Sequence, residues 1–192
     1  MNTGAAQQNA LNKVVLTGNA TVGGTARFDI RPGTTPTLDL AGFTLTKTDS
    51  NQLSLVAATV TGGNIVVNNG TLSIEAASNI NATGTITLNS PAILGLWANT
   101  AGSLLRPVVS NNGTIQNLGS DATIDCPVTI STGTTLTLTG TNFTRENGVI
   151  SGTGNLLKTG TGTFDFPNNN TFTGAVTVNG GTLAVTNNGA FG

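Results

Sequence analysis

The stretch LTKTDSNQLSLVAATVTGGNIVVNNGTLSI, residues 45–74, aligns without a gap on LLKTGTGTFDFPNNNTFTGAVTVNGGTLAV, residues 156–185, at a fixed offset of 111. Leu45, Lys47, Gly63, Val67, Gly70 and Leu72 match Leu156, Lys158, Gly174, Val178, Gly181 and Leu183. Ile65 and Ile74 meet Val176 and Val185, so the apolar phase is kept as well. Biased composition can match Gly with Gly; it does not easily keep apolar residues in phase over such a length. Val128-Thr129-Ile130, followed by Gly133-Thr134-Thr135-Leu136, is a weaker relative between the two copies. Units that recur along a chain, each too small to bury a core alone, must stack on one another.

Within each unit the signal is β. Thr alternates with a large apolar residue in Thr37-Leu38-Asp39-Leu40, Thr85-Ile86-Thr87-Leu88 and Thr135-Leu136-Thr137-Leu138. That period of two marks a strand with one buried face and one wet face. The runs are short and bounded by Gly or Asn-Gly, which supply the positive φ of sharp corners. The expected fold is all-β: a right-handed parallel β-helix, that is, a single-stranded β-solenoid. Coils of roughly 20–25 residues give about eight coils, and at ~4.8 Å per rung a rod of roughly 40 Å. A β-sandwich is the rival, and regular hairpin turns between paired strands of equal length are lacking.

Composition narrows the function. The chain has 192 residues with 26 Gly, 36 Thr and 24 Asn, and 8% are charged. There is no His and a single Cys, so imidazole-dependent catalysis, an internal disulfide and a Cys-rich zinc site are all excluded. Seven Lys+Arg against eight Asp+Glu make no basic stripe, so nucleic acid is not an expected partner. No apolar run is long enough for a membrane helix. Met1 is followed by neither a basic segment nor an apolar core, so no signal peptide is read there.

The C-terminal copy adds a pattern. Ile150-Ser151-Gly152-Thr153-Gly154 leads into Leu156-Leu157-Lys158-Thr159-Gly160-Thr161-Gly162-Thr163-Phe164. Asn170-Thr171-Phe172-Thr173-Gly174 and Gly181-Thr182-Leu183 follow. This resembles the passenger-associated repeat of bacterial autotransporters, the autotransporter-associated β-strand repeat. Residues 40–74 form a weaker copy, with Asp49 and Asn51 where the glycines fall. The region from Ala76 to Cys126 shows little of the motif. The resemblance implies a right-handed parallel β-helix exported to a Gram-negative surface, and a chain that is a portion of a longer protein. It reads as one β-helix domain over residues 1–192, with 1–12 as a flexible tail or N-terminal cap.

Individual residues give no chemistry. Lys47 and Lys158 hold equivalent places; a buried ammonium is costly, so each is expected at a corner with its charge in water. Asp121 and Asp125 share a strand face but lack an adjacent acidic partner in sequence. Arg27-Phe28-Asp29-Ile30-Arg31, the densest charge group, reads as a loop or an N-terminal cap. Gly23-Gly24-Thr25 does not continue into a calcium repeat, and Gly152-Thr153-Gly154 lacks the rest of a phosphate loop. Cys126 reads as a small buried hydrophobe. Six Asn-x-Thr sequons match chance for this composition. Paired asparagines before Gly suggest corners and hydrogen-bonded ladders between rungs.

The expectation is therefore a non-enzyme with no catalytic, cofactor-binding or metal-binding residues and no cofactor. It is read as a rigid exported scaffold or adhesin-like passenger, extracellular or on the bacterial outer membrane. Partners would be a glycan or protein of a host or cell surface, with end-to-end self-association at open ends. The alternatives are a polysaccharide-binding or polysaccharide-cleaving β-helix, which a groove with two carboxylates and a basic residue would favour, and a trimeric virus tail-fibre segment.

Overall fold

Thr71-Leu72-Ser73-Ile74 shows how the alternation is used. In the computed structural model, which describes residues 1–31 and 33–192, this run lies in the strand Thr71–Glu75. Leu72 and Ile74 point inward and are fully buried. The strand pairs in register with Gln52–Val56 on one side and Ile93–Trp97 on the other. Among the described residues there are 24 strands and no helix. Among the described residues no helix is long and apolar enough to cross a membrane.

Every ladder between named strands is parallel. That removes the β-sandwich, whose sheets are antiparallel. The chain visits three sides in turn. A nine-stranded sheet runs from Gln7–Leu11 to Val176–Val178, and a seven-stranded sheet from Ala20–Val22 to Ile150–Gly152. Two four-stranded sheets make the third side, which is interrupted where residues 98–105 replace a regular strand. Single bonds carry that side across the break: Thr123 N–H donates to Asn99 O (3.0 Å) and Asp125 N–H to Leu104 O (3.2 Å).

The result is a parallel β-solenoid of about eight turns. Leu53 pairs with Leu72, nineteen residues on, and Phe28 with Leu53, twenty-five on. These rungs line up Phe28, Leu53, Leu72, Leu94 and Ile115 as one inward column. Leu45, Ile65, Ile86, Val108, Val128 and Ile150 form the matching column of the seven-stranded sheet. Both columns belong to one continuous apolar core.

The two sequence copies do not lie on the same sides. Leu45 belongs to the seven-stranded sheet, whereas its counterpart Leu156 belongs to the nine-stranded one. An offset of 111 residues is five coils and about one side more. The repeat therefore encodes strand, corner and strand, and it begins on two different sides of the coil. Asp49, at the place of Gly160, takes the same left-handed conformation, with φ of 59° against 70°. Asn112 does so at 63°.

The asparagine ladder is present. Asn89 Nδ2 donates to Asn68 Oδ1, and Asn111 Nδ2 donates to Asn89 Oδ1, both at 2.8 Å. Ser131 Oγ continues it to Asn111 Oδ1 at 2.6 Å.

Candidate functional site

Charged residues are few, so where each one lies is informative. Residues 27–31 are not a loop or cap. Phe28–Ile30 is a strand of the nine-stranded sheet, paired with Gln7–Leu11 below and Gln52–Val56 above. Phe28 and Ile30 enter the core, which obliges Arg27, Asp29 and Arg31 to face outward. In register with Asp29 come Ser54, Ser73 and Gly95. These small outward residues form the floor of a groove. One wall carries Arg27, Gln52 and Thr71; the other carries Arg31, Val56, Glu75 and Trp97.

The groove is cross-linked by its own side chains. Arg27 Nε donates to Asp29 Oδ1 at 2.8 Å, and Nη2 donates to Asp29 Oδ2 at 3.0 Å and to Glu75 Oε2 at 3.2 Å. Glu75 Oε1 accepts from Ser73 Oγ (2.8 Å) and Gln52 Nε2 (3.1 Å). Asp29, Ser54 and Ser73 are fully buried beneath this network. Hydrogen bonding and attraction from the two carboxylates raise the Arg27 pKa against the opposing effect of burial. Both carboxylates are thus held by donors, and they fix the Arg27 guanidinium in place.

Above this floor lies a space of ≈ 320 Å³ lined by Gln8, Arg27, Arg31, Glu75 and Trp97, among others. Trp97 is 47% exposed, although large aromatic side chains are usually well buried. The Arg31 side chain is 44% exposed, with Nη1 3.8 Å from Asp29 Oδ2 and 3.5 Å from Gln8 Oε1. Sequence reasoning missed this groove. Parity could have placed Trp97 outward, because Leu94 and Leu96 point inward. Nothing in sequence puts Glu75 beside Arg27, 48 positions away.

Lys47 and Lys158 correct the expectation of solvated corner charges. Both are fully buried. Lys47 Nζ donates to the carbonyls of Thr48, Asp49 and Asn69, the last two at 2.8 and 3.2 Å. Lys158 Nζ donates to Thr159 O (2.6 Å), Gly160 O (3.4 Å) and Gly180 O (3.1 Å). The chain does turn there, but the corner carbonyls replace water around the ammonium. Burial pushes the Lys47 pKa down to about 8, against the pull of Asp49, and that of Lys158 also downward. Lys47 thus stays protonated at neutral pH. Arg106, also fully buried, does the same with Gly62 O (3.0 Å) and Asn81 O (3.2 Å).

The remaining acidic residues are dispersed. Asp121 Oδ1 accepts from Phe143 N–H at 3.2 Å. Asp125 accepts from Gly102 N–H (2.6 Å) and Asn147 Nδ2 (2.8 Å). They face outward on either side of Thr123 and tie neighbouring coils. Asp121 and Arg145 border a second space of ≈ 520 Å³, and Arg145 Nη2 lies 3.0 Å from Asp165 Oδ2. Glu146 is buried, with Oε1 accepting from Gly148 N–H at 3.0 Å. Burial raises its pKa well above the usual carboxylate range, and Asp125 adds to this. Cys126 is fully buried, and burial pushes its thiol pKa up.

Residues 45–74 and 156–185 each match the family model described as the passenger-associated-transport-repeat. The chain therefore carries two repeats of that family. It is similar to the adhesin BmaC autotransporter of Brucella suis biovar 1 (strain 1330), with 36% identity over 135 residues. That alignment covers 69% of this chain and 4% of the relative. The chain thus spans a small fraction of the length of the curated relative it matches. No solved structure matches it significantly.

Proposed function

We propose that this chain is a segment of an exported, non-enzymatic passenger: a rigid β-solenoid stalk that displays an adhesive lateral surface outside a bacterial cell. The observation that carries this is the passenger repeat, present twice in a solenoid whose relative is named an adhesin. Physical features support it. The stalk is bonded rung to rung along every side, and its outer faces carry Thr, Ser and Asn. Four of its seven basic residues hold the scaffold: Lys47, Lys158 and Arg106 fill corners, and Arg27 binds two carboxylates. The cell would be of the Gram-negative type, with the passenger displayed at the outer membrane.

The polysaccharide-binding alternative is favoured by one specific observation. Asp29 and Glu75 share a groove with Arg27, as that reading requires. Their oxygens already accept hydrogen bonds, which supports binding over cleavage.

The test is adhesion. Inert beads coated with the folded chain should adhere to epithelial cells or to sister bacteria well above albumin-coated beads. Adhesion no greater than the albumin control on both surfaces overturns the adhesive reading.

A further inference from the structure

The groove beside Trp97 is the one place on the described surface where an exposed aromatic ring, two guanidinium groups and a concave floor come together. The geometry points to a binding site for an acidic saccharide, a sugar chain whose units carry carboxylates such as uronic acids. The carboxylate would lie on Arg31 and Arg27, and a sugar ring face on Trp97. This inference rests on the adhesive reading above and names the chemistry of the partner.

The exposed and loosely held Arg31 guanidinium favours an anionic ligand. The oxygens of Asp29 and Glu75 are engaged by Arg27, Ser73 and Gln52. The donors that the groove presents to solvent are therefore guanidinium N–H groups and the amide of Gln8. Arg31 is 44% exposed, with its contacts to Asp29 and Gln8 at 3.8 and 3.5 Å, long for strong bonds. A planar fork of N–H groups matches a carboxylate in two-point fashion. Arg27 is held rigid by two carboxylates, so it loses little freedom on binding.

The shape selects a sugar. Val56, Glu75 and Trp97 occupy successive rungs directly above one another, with Arg31 one rung below Val56. At ~4.8 Å per rung, Arg31 and Trp97 stand about 14 Å apart along the axis. Rungs of this spacing come close to the repeat of an extended pyranose chain, so about three sugar units fit between the two. Trp97 lies next to Ala98, and the neighbouring corner carries Ala76; both alanines take positive φ, at 51° and 52°. Their short side chains leave the ring open to a flat, CH-rich face.

A peptide fits less well. The groove lies on the middle of a paired sheet, where backbone groups are already bonded and strand addition is closed. Nucleic acid is disfavoured by the net charge of −1.

The sequence has one Trp and no Tyr, so intrinsic fluorescence reports this groove directly. Trigalacturonate should change the Trp97 emission saturably, and a neutral trisaccharide such as maltotriose should not. Arg31→Ala should weaken binding about tenfold, the loss of a charge-assisted hydrogen bond. Lys13→Ala, on another side of the coil, should leave it unchanged. Trp97→Ala, followed by calorimetry, should bind weakly while its circular dichroism stays that of the parent.

An equal response to maltotriose, an equal response to a glutamate-rich peptide, or no saturable response to trigalacturonate each overturns the inference. Beads separate this from the broader reading. If the wild-type chain adheres but does not bind trigalacturonate, the acidic-saccharide site alone is overturned. If it binds trigalacturonate without adhering to any cell, the adhesive reading fails and the saccharide site stands.

Discussion

Lys47 and Lys158 occupy the same place in the repeat but different sides of the coil, and each reaches the same partner: a carbonyl one coil further on. Lys47 Nζ lies 3.2 Å from Asn69 O, and Lys158 Nζ lies 3.1 Å from Gly180 O. Each ammonium also donates to its own corner, to the carbonyls of the next two residues. The lysine therefore works as an internal cation. It supplies hydrogen-bond donors to the corner carbonyls of its own coil and of the next, at a place buried from solvent.

Replacing Lys158 with Met keeps the length and the packing of the stem but removes the donors. The corner carbonyls are then buried without partners, at a cost of about 1–3 kcal/mol. The urea midpoint should fall accordingly. Lys13→Met, at an exposed lysine, should shift it little. Equal shifts in the two variants would contradict the internal-cation role.

Gly63 and Gly174 are matched across the repeat for a reason of space. A Cβ on Gly63 would sit 2.0 Å from Phe43 O, and one on Gly174 2.0 Å from Gly154 O. Gly63 also has φ of 53°. Gly63→Ala must push two coils apart and should lose about 3 kcal/mol. Gly42, with φ of 87° and open space around its Cβ position, bears only the conformational penalty. Gly42→Ala should therefore lose clearly less in the same denaturation series.

Glu146 sets a pH dependence. Burial raises its folded pKa above the unfolded value of about 4.3. The folded state thus holds the proton more tightly than the unfolded state. Its favourable contribution is complete below the unfolded pKa and is lost as pH rises through the folded pKa. Glu146→Gln keeps an acceptor for Gly148 N–H without that titration. The denaturation midpoint of the variant should gain on the wild type as pH rises from 4 to 7. A constant difference over that range would contradict the assignment.

The terminal rungs should associate. Val178 and Val185 on the last strands are 48% and 42% exposed, and Val15 near the other end is 50% exposed. Exposed strand edges with apolar side chains invite pairing with another copy. Sedimentation of the isolated chain should show concentration-dependent chains of molecules. Val178→Lys together with Val185→Lys should return a monomer. A monomeric wild type at all concentrations would contradict this.

Much of this was legible in the sequence. Thr-apolar alternation in runs such as Thr85-Ile86-Thr87-Leu88 predicts which residues enter the core, and Ile86 and Leu88 are fully buried. Asp49 stands where Gly160 falls in the other copy, which marked residues 40–74 as a weaker copy; that Asp49 keeps the left-handed corner, with φ of 59°, came from the structure. The inward direction of Lys158 was legible too, since it shares parity with Leu156. Its burial was not, because the compensation comes from Gly180, on the next coil. The groove was least legible. The Arg27–Asp29 pair, Glu75 and Trp97 are separated by coils whose lengths vary, so no fixed spacing announces their meeting.

The sequence by itself determined the class of fold. Period-two patterning, Gly and Asn corners and the repeat leave stacking as the way to bury strands this short. Tertiary structure decided which side each strand occupies and which outward residues become neighbours. The physical reason is cumulative: coils differ in length, from nineteen to twenty-five residues between rung partners. Each added residue shifts where the next side begins. The second repeat consequently lands one side away from the first, and Trp97 comes to rest in the same groove as Arg27 and Arg31.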